Sequence, residues 1–95
     1  MKWVEIIELR SAGNTRKQLE MLLQSLISQM EGQTERPTAR LYTCLTVETD
    51  LGIHLSHDSR KAKNKGSSLG INLVAALKAY GLVNHTIWIE KPKDL

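Results

Sequence analysis

Phenylalanine is absent from this 95-residue chain, which has one cysteine, two prolines, two tryptophans and two tyrosines. A lone Cys44 excludes an internal disulfide and any cysteine-rich zinc site. The longest purely apolar run is five residues, Leu73 to Leu77, too short to cross a membrane as a helix. The opening "MKWVEIIELR" carries glutamates where a signal peptide needs an apolar stretch, so a cytoplasmic location is expected. Charge of one sign is also scarce: thirteen Lys and Arg face ten Asp and Glu, and a net +3 is too small to imply nucleic acid. What excess there is lies in one place, where Arg60, Lys61, Lys63 and Lys65 fall within six residues.

Hydrophobic residues make up 41% and charged ones 24%, the composition of an ordinary globular protein. The length fits a single domain over residues 1–95, small enough that self-association would supply useful burial.

Residues 3–10, "WVEIIELR", read as a strand that is apolar on both sides, with Trp3, Ile7 and Leu9 sharing a face with Glu5. Such a strand is usually covered on both sides. Thr15 and Gln18 have capping-box spacing, Leu19, Leu22, Leu23, Leu26, Ile27 and Met30 follow at helical steps, and Gly32 suits the helix end. "RLYTCLTVE" alternates from Arg40, with Tyr42, Cys44, Thr46 and Glu48 on one face and Leu41, Thr43, Leu45 and Val47 on the other. A three-residue turn Asp50-Leu51-Gly52, with Gly52 left-handed, would close a hairpin onto a strand from Ile53 to Asp58. Counting from that turn sets Glu48 opposite His54, Leu45 opposite His57 and Cys44 opposite Asp58. Ser67 or Ser68 caps a second helix with Leu69, Leu73, Ala76, Leu77 and Tyr80 on its buried stripe, ended by Gly81 and Leu82. "HTIWIE" is a last strand, with His85, Ile87 and Ile89 on one face and Thr86, Trp88 and Glu90 on the other.

The order β-α-β-β-α-β predicts an α+β, ferredoxin-like domain: two helices on one face of a four-stranded antiparallel sheet ordered 4-1-3-2.

The densest chemistry is "LGIHLSHDSR" running into "KAKNKGSSLG". His54 and His57 are three apart, so on a strand they face opposite ways and cannot grip one ion; no metal site is expected. No G-x-S-x-G is present, and Ser56 sits on no strained elbow. Glu48 opposite His54 is the candidate catalytic pair, since a carboxylate beside an imidazole can hold it as general acid or base. The same pair also reads as a plain cross-strand contact of opposite charges. His57 reads as an end-of-core histidine beside Leu45. Arg60, Lys61, Lys63 and Lys65 ahead of Ser67 and Ser68 form a candidate anion site at a helix start, or a solvated loop. No phosphate-loop or dinucleotide motif is met.

Two helices cover one sheet face and leave Tyr42, Cys44, His54 and Trp88 on the other, a mixed patch that soluble monomers rarely expose. In topology, length and this half-polar face, residues 3–90 resemble the dimeric α/β barrel superfamily, which includes antibiotic-biosynthesis monooxygenase-like and stress-responsive proteins. The resemblance implies a homodimer with sheets packed face to face and a small organic ligand. It also implies cofactor-independent chemistry of the kind done by oxygenases that use Asn, Trp, His or Tyr, with Tyr42 and Trp88 as ligand-binding walls beside His54. No cofactor is expected. The haem-degrading pattern is not met, for the first strand lacks asparagine and the second helix lacks histidine. The arginine-bearing loop that follows strand one in acylphosphatases is missing too. The alternative is a non-enzymatic module that takes an anion, single-stranded nucleic acid or a protein through residues 60–65 or the open face. RNA-recognition domains share this topology, but their aromatic central-strand pattern is missing.

Overall fold

The computed structural model describes residues 1–11, 16–29 and 37–92. Strand β1 spans Lys2–Ser11, helix α1 Arg16–Ser28, β2 Thr38–Thr43, β3 Asp50–Asp58, α2 Ser68–Leu77 and β4 Gly81–Ile89. The strands form one sheet ordered β2-β3-β1-β4, antiparallel at every edge, which is the expected ferredoxin-like α+β arrangement. The roles read for Thr15, Met30 and Gly32 lie outside the described residues.

One sheet face is packed on the helices. Alternation along β1 sends Trp3, Glu5, Ile7, Leu9 and Ser11 inward, and along β3 sends Leu51, Ile53 and Leu55 the same way. Leu19 and Leu23 of α1 and Leu69, Leu73 and Leu77 of α2 close the core against them. Each of these side chains contributes about 1.5–3 kcal/mol by leaving water. On the opposite face stand Val4, Ile6, His54, Thr86 and Trp88, with Arg40 and Tyr42 from β2.

The β2–β3 connection departs from the expected hairpin. Gly52 lies within β3, no tight turn forms at 50–52, and the left-handed glycine among the described residues is Gly66. Residues 44–49 make a longer loop, closed by Cys44 N–H to the Asp50 carbonyl and Asp50 N–H to the Val47 carbonyl. Arg40 therefore faces His54, Leu41 faces Ile53 and Ala39 faces Leu55, while Leu45 is 97% exposed. The reason is β1. Starting β3 at Asp50 pairs it along β1 from Lys2 to Arg10 and buries Leu51 opposite Leu9, a gain that a three-residue turn would forfeit.

The end of α2 differs as well. Its C-cap is Lys78, Gly81 opens β4 instead of ending the helix, and Leu82 is an exposed residue of that strand. β4 starts four residues earlier than the strand expected from "HTIWIE", because residues 81–84 pair with β1 residues Ser11 to Glu8.

Candidate functional site

The middle of the helix-facing sheet holds a carboxylate. Glu5 is fully buried, with Trp3 and Ile7 as its in-phase neighbours on β1. An ionised carboxylate cannot stay in such a place without partners, and Glu5 has four. His57 Nε2 of β3 lies 2.6 Å from Oε2, and His85 Nε2 of β4 lies 2.9 Å from Oε1. Ser67 donates its backbone N–H to Oε1 at 3.0 Å and its hydroxyl to Oε2 at 2.5 Å. Two carboxylate oxygens accept about four hydrogen bonds, so the acceptor capacity of Glu5 is filled.

Each partner arrives by ordinary strand and helix rules. His57 faces Trp3 across β1–β3, and His85 faces Ile7 across β1–β4, so both rings flank Glu5 on the same side of the sheet. Ser67 is the N-cap of α2, and its hydroxyl also accepts from Gly70 N–H at 3.1 Å. The positive end of the α2 dipole is thus aimed at the Glu5 charge. Two glycines make room: a Cβ on Gly70 would overlap Glu5 Oε1, and one on Gly66, at φ +96°, would overlap Glu5 and His85.

Because a carboxylate only accepts, each ring presents Nε2–H to it, and neither Nδ1 has a hydrogen-bond partner among the described residues. The His57 ring stacks on Trp3, centroids 3.9 Å apart and planes 13° apart. Trp3 Nε1–H donates to Ser59 Oγ, which donates on to the Lys61 carbonyl. An oriented imidazole, charge-compensated from behind and with Nδ1 left over, is equipped to accept a proton. His57 and Ser67 form part of the wall of a cavity of about 730 Å³, which Trp3 and the basic-loop residues Arg60, Lys61 and Lys63 also line. Each histidine bonds a different oxygen of Glu5, and no group of three His, Cys, Asp or Glu is arranged to hold a metal ion among the described residues.

No protein-family model matches the sequence, and no curated protein does. Solved structures do. The protein Rv0793 of Mycobacterium tuberculosis is 18% identical over 98% of each chain, with a TM-score of 0.72. SnoaB of Streptomyces nogalater, described as a cofactor-independent oxygenase, is 10% identical over 97% of this chain and 95% of its own, also at 0.72. An antibiotic biosynthesis monooxygenase is 12% identical over 97% of this chain and all of its own, at 0.70.

The chain has the fold of the antibiotic biosynthesis monooxygenase-like proteins.

On this monooxygenase-like fold the residues singled out in the sequence fall into three places. Tyr42, His54 and Trp88 are on the open face, where the Tyr42 and His54 rings meet at 4.4 Å and Trp88 Nε1–H donates to Thr86 Oγ1 at 2.9 Å. Glu48 is not the cross-strand partner of His54; it sits in the 44–49 loop, and Arg40 takes the opposing position. A shallow groove of about 550 Å³ runs beside Tyr42, Cys44 and His54. Cys44 is an exposed loop residue, not a strand residue facing Asp58. The Thr46 hydroxyl and the backbone N–H groups of Thr46 and Val47 hold its thiol below the usual range.

Arg60, Lys61 and Lys63 line the cavity next to His57, whereas Lys65 does not. The α2 start expected to await an external anion already has one from its own chain, because the Ser67 N–H and hydroxyl are spent on Glu5. His57 is a core-edge histidine as expected, but its neighbours are Trp3 and Glu5 rather than Leu45. Sequence reading missed Glu5 and His85 as site residues. Their signal was parity: an acid in phase with Trp3, Ile7 and Leu9, and a histidine in phase with Ile87.

Proposed function

We propose that this protein binds a small organic molecule in the cavity beside His57 and acts on it as a cofactor-independent monooxygenase-like enzyme. The observation that carries this reading is the fully buried Glu5 carboxylate shared by His57, His85 and Ser67. His57 Nδ1 takes a proton from an acidic C–H or O–H of the ligand, and Glu5 stabilises the imidazolium that forms. Dioxygen then converts the activated methylene to a carbonyl, its second oxygen leaving as water, so no added reductant is needed. Likeness in fold to SnoaB supports this class of chemistry.

The open face serves a second copy of the chain. Tyr42, Leu82 and Trp88 are respectively 44%, 75% and 58% exposed there, beside Val4 and Ile6, and pairing two sheets would cover them. Light scattering across a dilution series should give twice the chain mass, and Trp88→Glu should halve it. A wild-type monomer would refute the pairing.

A second reading keeps the ligand on the open face, favoured by the Tyr42–His54 ring contact beside the 550 Å³ groove. There His54 is the proton acceptor, with Tyr42 and Trp88 as walls. Oxygen uptake with a panel of phenolic and enolisable compounds separates the two. His57→Gln should abolish uptake while His54→Gln retains it. The reverse pattern would transfer the role to His54, and uptake surviving both changes would remove histidine from the mechanism.

A further inference from the structure

Four cations stand at one cavity without partners. Lys2, Arg60, Lys61 and Lys63 all line the 730 Å³ space beside His57, and none makes a salt bridge among the described residues. Among the described residues the one acid lining it, Asp58, lies 3.6 Å from the N-terminal amine of Met1. The buried Glu5 forms no ion pair with them, since its oxygens are taken by two histidines and the start of α2. Like charges gathered around a concave surface repel one another and focus a positive field into it.

We propose that the ligand of this cavity is a small organic anion, its carboxylate or phosphate held by Lys2, Arg60, Lys61 and Lys63 while its uncharged part lies toward His57. The proposal takes His57 as the proton acceptor from the reading above and adds the class of molecule presented to it. Binding through the charged end positions the reacting end, so the cations act by orientation and His57 by proton transfer. The loop is anchored for this. Trp3 N–H, the Ser59 hydroxyl and the Lys61 carbonyl form a hydrogen-bonded chain from the His57 stack to the first cations. An anion drawn to Lys61 therefore registers at the Trp3 indole.

The test is NMR titration of the full chain, reading the Trp3 indole N–H. Benzoate and phenyl phosphate are the anionic probes, and benzamide and benzyl alcohol the neutral ones. The anions should move the signal and the neutral pair should bind at least about tenfold more weakly, the difference expected from charge-assisted contacts at a partly exposed site. Whichever anion binds more tightly identifies the headgroup. The double variant Lys61→Glu, Lys63→Glu should lose anion binding by about tenfold or more, and salt should weaken binding to the wild type. Anion binding by a wild type that shows no oxygen uptake would support this proposal and refute the catalytic reading, which keeps the two failures distinguishable. Equal affinity for benzamide and benzoate would overturn it. So would binding unchanged in the double variant, or a single-stranded oligonucleotide that binds where both small anions are silent.

Discussion

β3 carries two histidines three residues apart, and the sheet sends them to different worlds. His57 turns toward the helices, where its ring is sandwiched between the Trp3 stack and a buried carboxylate. His54 turns to the open face, touches the Tyr42 ring and lies opposite Arg40. The residue type is the same, and so is the strand. What differs is water: on the helix side Glu5 has no solvent to satisfy it and must draw in every donor within reach, whereas on the open side His54 stays partly in solvent. The contrast teaches that burial, not residue identity, assembles a site here. A carboxylate placed in the core recruits two strands and a helix start. A histidine placed at the surface recruits little.

The contrast can be broken most forcefully at its centre. Replacing Glu5 with Ala leaves Ser67 N–H and two imidazoles unpartnered, and should cost about 3–5 kcal/mol in urea denaturation, since each buried donor left unsatisfied costs about 1–3 kcal/mol. His54→Ala on the open face should cost under about 1 kcal/mol in the same measurement. Equal losses would mean that the two faces do not differ as argued. A smaller effect is expected at Gly70, where a Cβ meets the Glu5 carboxylate. Gly70→Ala should destabilise by about 1–3 kcal/mol through overpacking. Combining it with Glu5→Ala should cost less than the two single changes added together, because the second change removes the clash. Strict additivity would show that Gly70 does not act through Glu5.

The smallest effect sharpens the solvent-exposed side of the comparison. Thr46 helps to stabilise the Cys44 thiolate, so alkylation of Cys44 by iodoacetamide should begin at lower pH than for an ordinary exposed thiol. Thr46→Val removes the first of the stabilising hydrogen bonds and should shift that rise to higher pH, slowing the reaction a few-fold near neutrality. An unchanged profile would leave the thiolate to the backbone N–H groups alone.

Much of the fold is written in local pattern. The leucine spacing of α1, the serine at the start of α2 and the alternation in β1 each act over a few residues, and the strand order follows from short right-handed connections. The β2–β3 register was not legible in this way. "DLG" satisfies the local requirements of a tight turn, yet β1, more than forty residues earlier in the chain, takes Leu51 into the core and turns those residues into strand. Pairing Glu48 with His54 depended on that turn and went with it.

What the sequence determined by itself is therefore the face each residue occupies, since strand parity is a property of the chain alone. Glu5, His57 and His85 each stand in phase with core residues of their own strands before any folding is considered. Only the tertiary structure decided that the three meet, and that Ser67 joins them. Meeting depends on which strands become neighbours and in what register, and those choices are set by burial summed over the whole sheet. The desolvated Glu5 carboxylate then does the rest, because in the core it has no alternative to the donors that β3, β4 and α2 bring to it.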